Sequence, residues 1–157
     1  DGITLTVAAV GRGMYERLLV PIDGSPESLE AVDEAAALAA ALDAELTGLY
    51  VVDTRDYSTI PEAKWISLAD ELEREGERAL EEAERRAEDA GVTMTTVVDR
   101  GIPHDFIIDY AEEIGADVIV MSTHGRTGLD RFLLGSVTEK VIRSTELPVL
   151  VIRAQSS

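Results

Sequence analysis

Cysteine is absent from the 157 residues. Disulfides, thiolate zinc sites and cysteine nucleophiles are therefore excluded together. Histidine is almost as scarce, with His104 and His124 the only two, too few for a histidine-rich metal centre. No stretch approaches the roughly 18 apolar residues of a membrane-spanning helix. The short apolar run at residues 3–10 lacks the basic flank and the length of a secretory signal. Gly-rich linkers and internal repeats are also missing. The expectation is a soluble cytoplasmic protein with no membrane partner.

Basic side chains are few as well: 14 against 31 acidic ones, for a net charge of −17. Lys64 and Lys140 are the only lysines, the other basic residues being arginines. Such a surface repels a phosphodiester backbone, which removes nucleic acid as a partner. The acidity has two readings. One is an ordinary acidic protein; the other is adaptation to high salt, where excess carboxylates keep a protein hydrated and self-repulsion is screened within roughly 3 Å at about 1 M salt.

What is present is 45% apolar residues, enough for one domain with a core. Its expected limits are 14–155, with residues 1–13 as an N-terminal extension and Met14 as the natural start. The alternative for the extension is a short extra strand at 3–10.

From Met14 onward, apolar strand-like runs alternate with helical patterns, as in a parallel sheet covered on both faces. The first strand is expected at 17–22 and runs into Asp23-Gly24-Ser25-Pro26. Ser25 fits an N-cap and Pro26 the first helical position, so a helix should continue to Leu42, with Leu29, Val32, Ala35, Ala36 and Ala39 at helical spacing. The second strand, 45–52, leads into a polar loop at 54–62 that reads as a lid over a site. A long helix follows at 62–90. Trp65, Leu68, Leu72, Ala79, Ala83 and Ala87 mark its buried stripe, and Glu81 with Arg85 and Glu82 with Arg86 form i,i+4 pairs on a solvated face. Gly91 ends it. Strand 92–98, helix 103–114, strand 117–121, helix 136–144 and strand 148–152 complete the chain.

This pattern predicts a single-domain α/β fold: a five-stranded parallel sheet of order 3-2-1-4-5, Rossmann-like, with helices on both faces. Its ligand crevice lies at the carboxyl ends of the strands, where strand order reverses between strands 1 and 4. Asp23 ends strand 1 and residues 122–125 follow strand 4, so both informative loops fall on one edge of the sheet. Gly125 and Gly135 let the backbone approach an anion. The first amides after Gly135 have no intrahelical partner, and the helix dipole there favours negative charge.

Each residue at these loops also has a plainer reading. Ser136 and Glu139 form a Ser-x-x-Glu capping box, so Ser136 either faces a phosphate or caps its own helix. Phe132, Leu133 and Leu134 are expected to anchor the loop. Arg126, and less directly Arg131, is the nearest cation for a triphosphate, and His124 either touches a phosphate oxygen or packs within the loop. Asp23 either binds a ribose hydroxyl or a water-bridged Mg²⁺, or turns the chain into the first helix. Val51, at the end of strand 2, can hydrogen-bond an adenine edge through its N–H and C=O. The apolar strand beginning at Pro148 would lie at a sheet edge and invite a second copy.

Three segments, LLVPIDGS at 18–25, LYVVD at 49–53 and MSTHGRTGLDRFLLGSVTEKVIRSTELPVLVIR at 121–153, closely resemble the universal stress protein family. The resemblance spans 14–153. It implies an adenine nucleotide alpha-hydrolase-like α/β fold, homodimerisation and, in one branch, ATP held by a Gly-x2-Gly-x9-Gly-Ser/Thr loop. Carried over, Gly125, Gly135 and Ser136 take the second glycine, the third glycine and the hydroxyl, while Ser122 stands at the first glycine position. Pro21, Asp23 and Val51 match the nucleoside half, and Val137 supplies a further phosphate-facing amide. With Met121, His124 and Arg126 these complete the candidate site.

The implied function is an ATP-binding, homodimeric stress-response regulator, with Mg²⁺ accompanying the nucleotide and slow hydrolysis at most, since no general base or nucleophile stands beside the loop in sequence. Ser122 keeps open a nucleotide-free dimeric module of the same family. An adenine-alpha-hydrolase enzyme would carry a Ser-Gly-Gly signature where this chain has Pro-Ile-Asp-Gly-Ser. A phosphoacceptor receiver would need an acidic cluster around Asp23 and a lysine after strand 5.

Overall fold

Strands buried on both faces should read as unbroken apolar runs whose alternate residues serve two different cores. The computed structural model, which describes residues 15–55, 59–123 and 134–153, has this arrangement. β1 (Arg17–Pro21) buries Leu18 and Val20 with Ile22 in one cluster and Leu19 in the other. β4 (Val118–Ser122) divides likewise, Val118 and Val120 against Ile119 and Met121. Each such aliphatic side chain contributes about 1.5–3 kcal/mol relative to exposure.

Around these central strands lie β2 (Glu45–Asp53), β3 (Met94–Gly101) and β5 (Val149–Ile152). All pairings are parallel and the order is β3-β2-β1-β4-β5, as expected from sequence. α1 (Pro26–Leu42) and α2 (Glu62–Asp89) cover one face, while α3 (Pro103–Glu113) and α4 (Ser136–Ser144) cover the other. Among the described residues no helix is long and apolar enough to cross a membrane. Residues 1–13 and Met14, where an extension and a start were expected, lie outside the described residues.

α1 begins as its sequence suggests. The Ser25 hydroxyl accepts the Ser28 N–H at 3.1 Å and Pro26 opens the helix. Ala31, Val32, Ala35, Ala36 and Ala39 are buried, small enough to bring the helix close to β4 and β1. Its last turn closes on Asp43, the one non-glycine residue with positive φ (54°) among those described, a conformation aspartate tolerates better than most.

Three expectations need correction. The buried stripe of α2 runs through Ala69, Gly76, Leu80, Ala83 and Ala87, whereas Trp65, Leu68, Leu72 and Ala79 are only half-buried. The reason is Gly76: the helix backbone meets the Tyr50 ring there, so the contact line is centred on a residue with no side chain. Glu82, not Glu81, is the partner of Arg85, and it also pairs with Arg86. Arg86 is not merely solvated, since it reaches α1 at Asp33 (2.9 Å) and the Leu29 carbonyl (3.3 Å). β3 starts two residues later than expected and continues through Asp99-Arg100-Gly101, because β2 supplies partners as far as Asp53↔Gly101. Arg100 ties β3 to α2, pairing with Glu73 (2.9 Å) and Asp70 (3.3 Å) and lying 5.6 Å from the centre of the Trp65 ring.

Gly76→Ala separates two opposing effects. Helix propensity favours alanine by about 1 kcal/mol, but the new Cβ would stand 2.5 Å from Tyr50 Cδ1, and overpacking of that kind costs about 1–3 kcal/mol. Tyr50 is only 6% exposed and its ring is rigid, so packing should win. The variant is expected to melt about 2–4 °C lower, and an equal or higher midpoint by calorimetry would show that the ring yields.

Candidate functional site

β1 stops pairing with β2 at Pro21↔Leu49, and the Ile22 N–H closes the pair by donating to the Leu49 carbonyl at 2.8 Å. Leu49 thus points its main-chain groups toward β1, and the strand's period of two gives Val51 the same direction. Val51 lies beyond the last paired residue of β1, so its N–H and C=O face the crevice. Pro21, lacking an N–H, sits beside it.

The chain then turns through Asp23 and Gly24. Asp23 Oδ1 accepts the Ser25 N–H at 2.9 Å, the Asp23 N–H donates to Ser28 Oγ at 3.4 Å, and Gly24 takes a φ of 85°, which glycine adopts without strain. Asp23 therefore does turn the chain into α1, and it also lines the crevice.

On the other side, the segment after β4 is pinned at its base. Thr123 donates its N–H to the Ile152 carbonyl (3.0 Å) and accepts the Gly135 N–H at its own carbonyl (2.7 Å). One turn into α4, the buried Thr138 hydroxyl donates to the Ser122 carbonyl at 2.9 Å. The Gly135 N–H is therefore committed to Thr123, and what Gly135 offers a ligand is the absence of a side chain.

Gly135 is the N-cap of α4, with φ −65° and ψ 156°, and no side chain caps the helix. This resolves the two readings of Ser136. It is the first helical residue, not the cap, and it is exposed. Glu139 sends its carboxylate to Arg143 at 2.7 Å instead of back to the cap. The amides of Ser136 and Val137 have no acceptor within the helix. Leu134, expected to anchor the loop, is 38% exposed; hydrogen bonds at the base hold the ends instead. β4 also extends one residue further than expected, so that Ser122 is an extended strand residue paired with Ile152.

These elements enclose a cavity of about 350 Å³. Pro21, Asp23, Val51, Met121, Ser122, Gly135, Ser136 and Val137, all singled out from sequence, line it together. His124, Gly125 and Arg126, along with Arg131, Phe132 and Leu133, lie outside the described residues. Sequence reading missed several wall residues: Thr138, the apolar Leu49, Pro103 and Ile107, and the pair Asp53 and Arg55. Arg55 Nε donates to Asp53 Oδ1 at 3.0 Å and its Nη2 to Oδ2 at 2.6 Å, while the Arg55 N–H reaches Oδ1 at 3.0 Å. Those guanidinium hydrogen bonds hold the Asp53 carboxyl below its ordinary value of 3.8, against the opposing effect of burial. No group of three or more acidic or histidine side chains among the described residues could hold a metal ion unaided.

Residues 14–153 match the model of the universal stress protein family. The chain belongs to that family. Universal stress protein MJ0531 of Methanocaldococcus jannaschii is 42% identical over 144 residues, covering 91% of this chain and 85% of the relative. The solved structure of MJ0577, from the same organism, superposes with a TM-score of 0.81 at 35% identity, covering 92% of this chain and 99% of that one. A universal stress protein solved in complex with cAMP superposes with a TM-score of 0.67 at 30% identity, covering 89% and 98%. The single-domain sheet of order 3-2-1-4-5 is thus the fold of this universal stress protein as of its relatives, and its cavity opens at the strand ends flanking the β1/β4 switch point.

Proposed function

We propose that this universal stress protein binds ATP in the cavity between β1, β2 and β4, as a cytoplasmic homodimeric regulator that turns the nucleotide over slowly if at all. The observation that carries the reading is the head of α4. A glycine caps the helix with no side chain, the Ser136 hydroxyl is not spent on capping, and the free first-turn amides adjoin the cavity. Such a terminus favours phosphate through both its N–H groups and its dipole. At the other end, the Val51 main chain offers a donor and an acceptor to an adenine edge. The complex of a 30% identical relative with cAMP supports an adenine nucleotide in particular.

Asp23, which lines the same cavity, would take a ribose hydroxyl or a water-bridged Mg²⁺. The magnesium ion would supply charge neutralisation along the triphosphate. Arg126 and His124 remain part of this proposal from the motif. The edge strand β5, with Leu150 40% exposed and Ile142 of α4 39% exposed, supports pairing of two copies through residues 148–152.

Ser122 favours the rival reading, a dimeric module without nucleotide, because this residue, 8% exposed, adds a side chain to the cavity wall where the motif's first glycine has none. Mass spectrometry of ligand released from gently purified, denatured protein separates the two. An adenine nucleotide near one per chain is expected. A reproducibly empty protein that also takes up no added ATP would leave only the rival. Because a net charge of −17 opposes an anionic ligand over distances screened beyond roughly 10 Å at 0.1 M salt, affinity should rise with Mg²⁺ or moderate salt.

A further inference from the structure

Asp53 and Arg55 stand in the cavity wall without a role in the reading above. Asp53 follows Val51 at the strand's period of two, so both side chains project from the same face of β2. Arg55 folds back onto that carboxylate through a two-pronged contact at 3.0 and 2.6 Å, and its own N–H joins at 3.0 Å. Four hydrogen bonds reach this one carboxylate, three of them from the guanidinium, and they fix the orientation of that plane before any ligand arrives. Pro103 and Ile107 of α3, with Leu49 and Val51 of β2, supply the apolar surface of the same cavity.

We propose that Arg55, held flat by Asp53, stacks on the purine ring of the bound nucleotide and closes the base end of the cavity. This rests on the adenine-nucleotide reading of the site and assigns the residue that selects for a planar base. The chemistry argues for a base and against a phosphate at this position. A phosphate drawn to Arg55 would meet the Asp53 oxygens at the same distance, whereas a neutral ion pair still presents a delocalised π-surface. A guanidinium plane stacks on aromatic rings where the point charge of lysine does not, and pre-organisation by Asp53 removes most of the rotamer entropy that stacking would otherwise cost. Asp53 and Arg55 side chains are 33% and 38% exposed, so changing them leaves the core intact.

The test is titration calorimetry of wild type, Arg55→Ala and Arg55→Lys with ATP and, separately, inorganic tripolyphosphate, together with the hypochromism of the adenine absorption band on binding. Both variants are expected to lose about tenfold in ATP affinity, the scale of one base-stacking contact, and much of the hypochromism, with tripolyphosphate affinity and melting midpoint unchanged. Full retention by Arg55→Lys, or an equal loss for tripolyphosphate, would make Arg55 a phosphate ligand and overturn the inference. Wild-type ATP binding indifferent to both variants would overturn it alone. A wild type that binds neither ATP nor tripolyphosphate would remove the nucleotide reading and this inference with it.

Discussion

Gly135→Val is expected to weaken ATP binding at least tenfold, about 1.4 kcal/mol, while leaving the protein folded. The backbone permits the change: φ −65° and ψ 156° lie in the region every L-residue occupies, so valine brings no strain from a forced left-handed turn. The Gly135 N–H bond to the Thr123 carbonyl and the Thr138 bond to the Ser122 carbonyl do not involve the new side chain and should survive. Some stability is lost, because glycine is a better N-cap than valine by up to about 1 kcal/mol. The larger loss falls on the ligand, since two methyl groups would enter the cavity where a phosphate has to reach the Ser136 and Val137 amides. Gly135→Ala should fall between wild type and valine. Calorimetric titration with Mg²⁺-ATP, read beside a thermal melt, distinguishes the two losses. An unchanged dissociation constant in a folded Gly135→Val protein would mean that ATP does not bind at the head of α4.

The fold was legible because the central strands are buried on both faces. Leu18, Leu19 and Val20 in succession admit no amphipathic alternative, and such a run between helical patterns implies parallel neighbours. The site was legible where it depends on strand ends and on glycine, as with Pro21, Asp23, Val51 and Gly135. It was not legible where a contact links residues far apart in the chain. Thr138 reads as an ordinary first-turn residue until its hydroxyl is found on a carbonyl 16 residues away. Arg55 was missed for another reason: its partner Asp53 is only two residues away, but one more charge in a polar loop carries no mark of that contact. Ser136 was ambiguous for a different reason: a serine just inside a helix and a serine capping it give the same sequence pattern, and only the dihedral angles of Gly135 separate them. The α2 stripe was displaced because a pattern of apolar side chains gives no weight to Gly76, the residue on which the packing against Tyr50 is centred.

Raising KCl from about 0.1 M to 1 M, which shortens the screening length from roughly 10 Å to 3 Å, is expected to raise the melting midpoint of this protein by about 5 °C, the equivalent of ~2 kcal/mol at its size. Two effects compete. Salt weakens the surface pairs, such as Arg17 with Glu45 at 3.0 Å and Arg143 with Glu139 at 2.7 Å, but exposed pairs of this kind contribute only about 0–1 kcal/mol each. Salt also relieves repulsion among carboxylates. If every one of the 14 basic side chains were paired with one of the 31 acidic ones, 31 − 14 = 17 carboxylates would still lack a partner, so relief should exceed loss. The exposed acidic face at the end of α2 offers a control: with Glu81, Glu88 and Asp89, all exposed, changed to their amides, the protein should be more stable at 0.1 M and its midpoint should rise less steeply with salt. A flat or falling midpoint for the wild type would mean that the excess charge is already accommodated in dilute buffer, and adaptation to high salt would have to be given up as the reason for it.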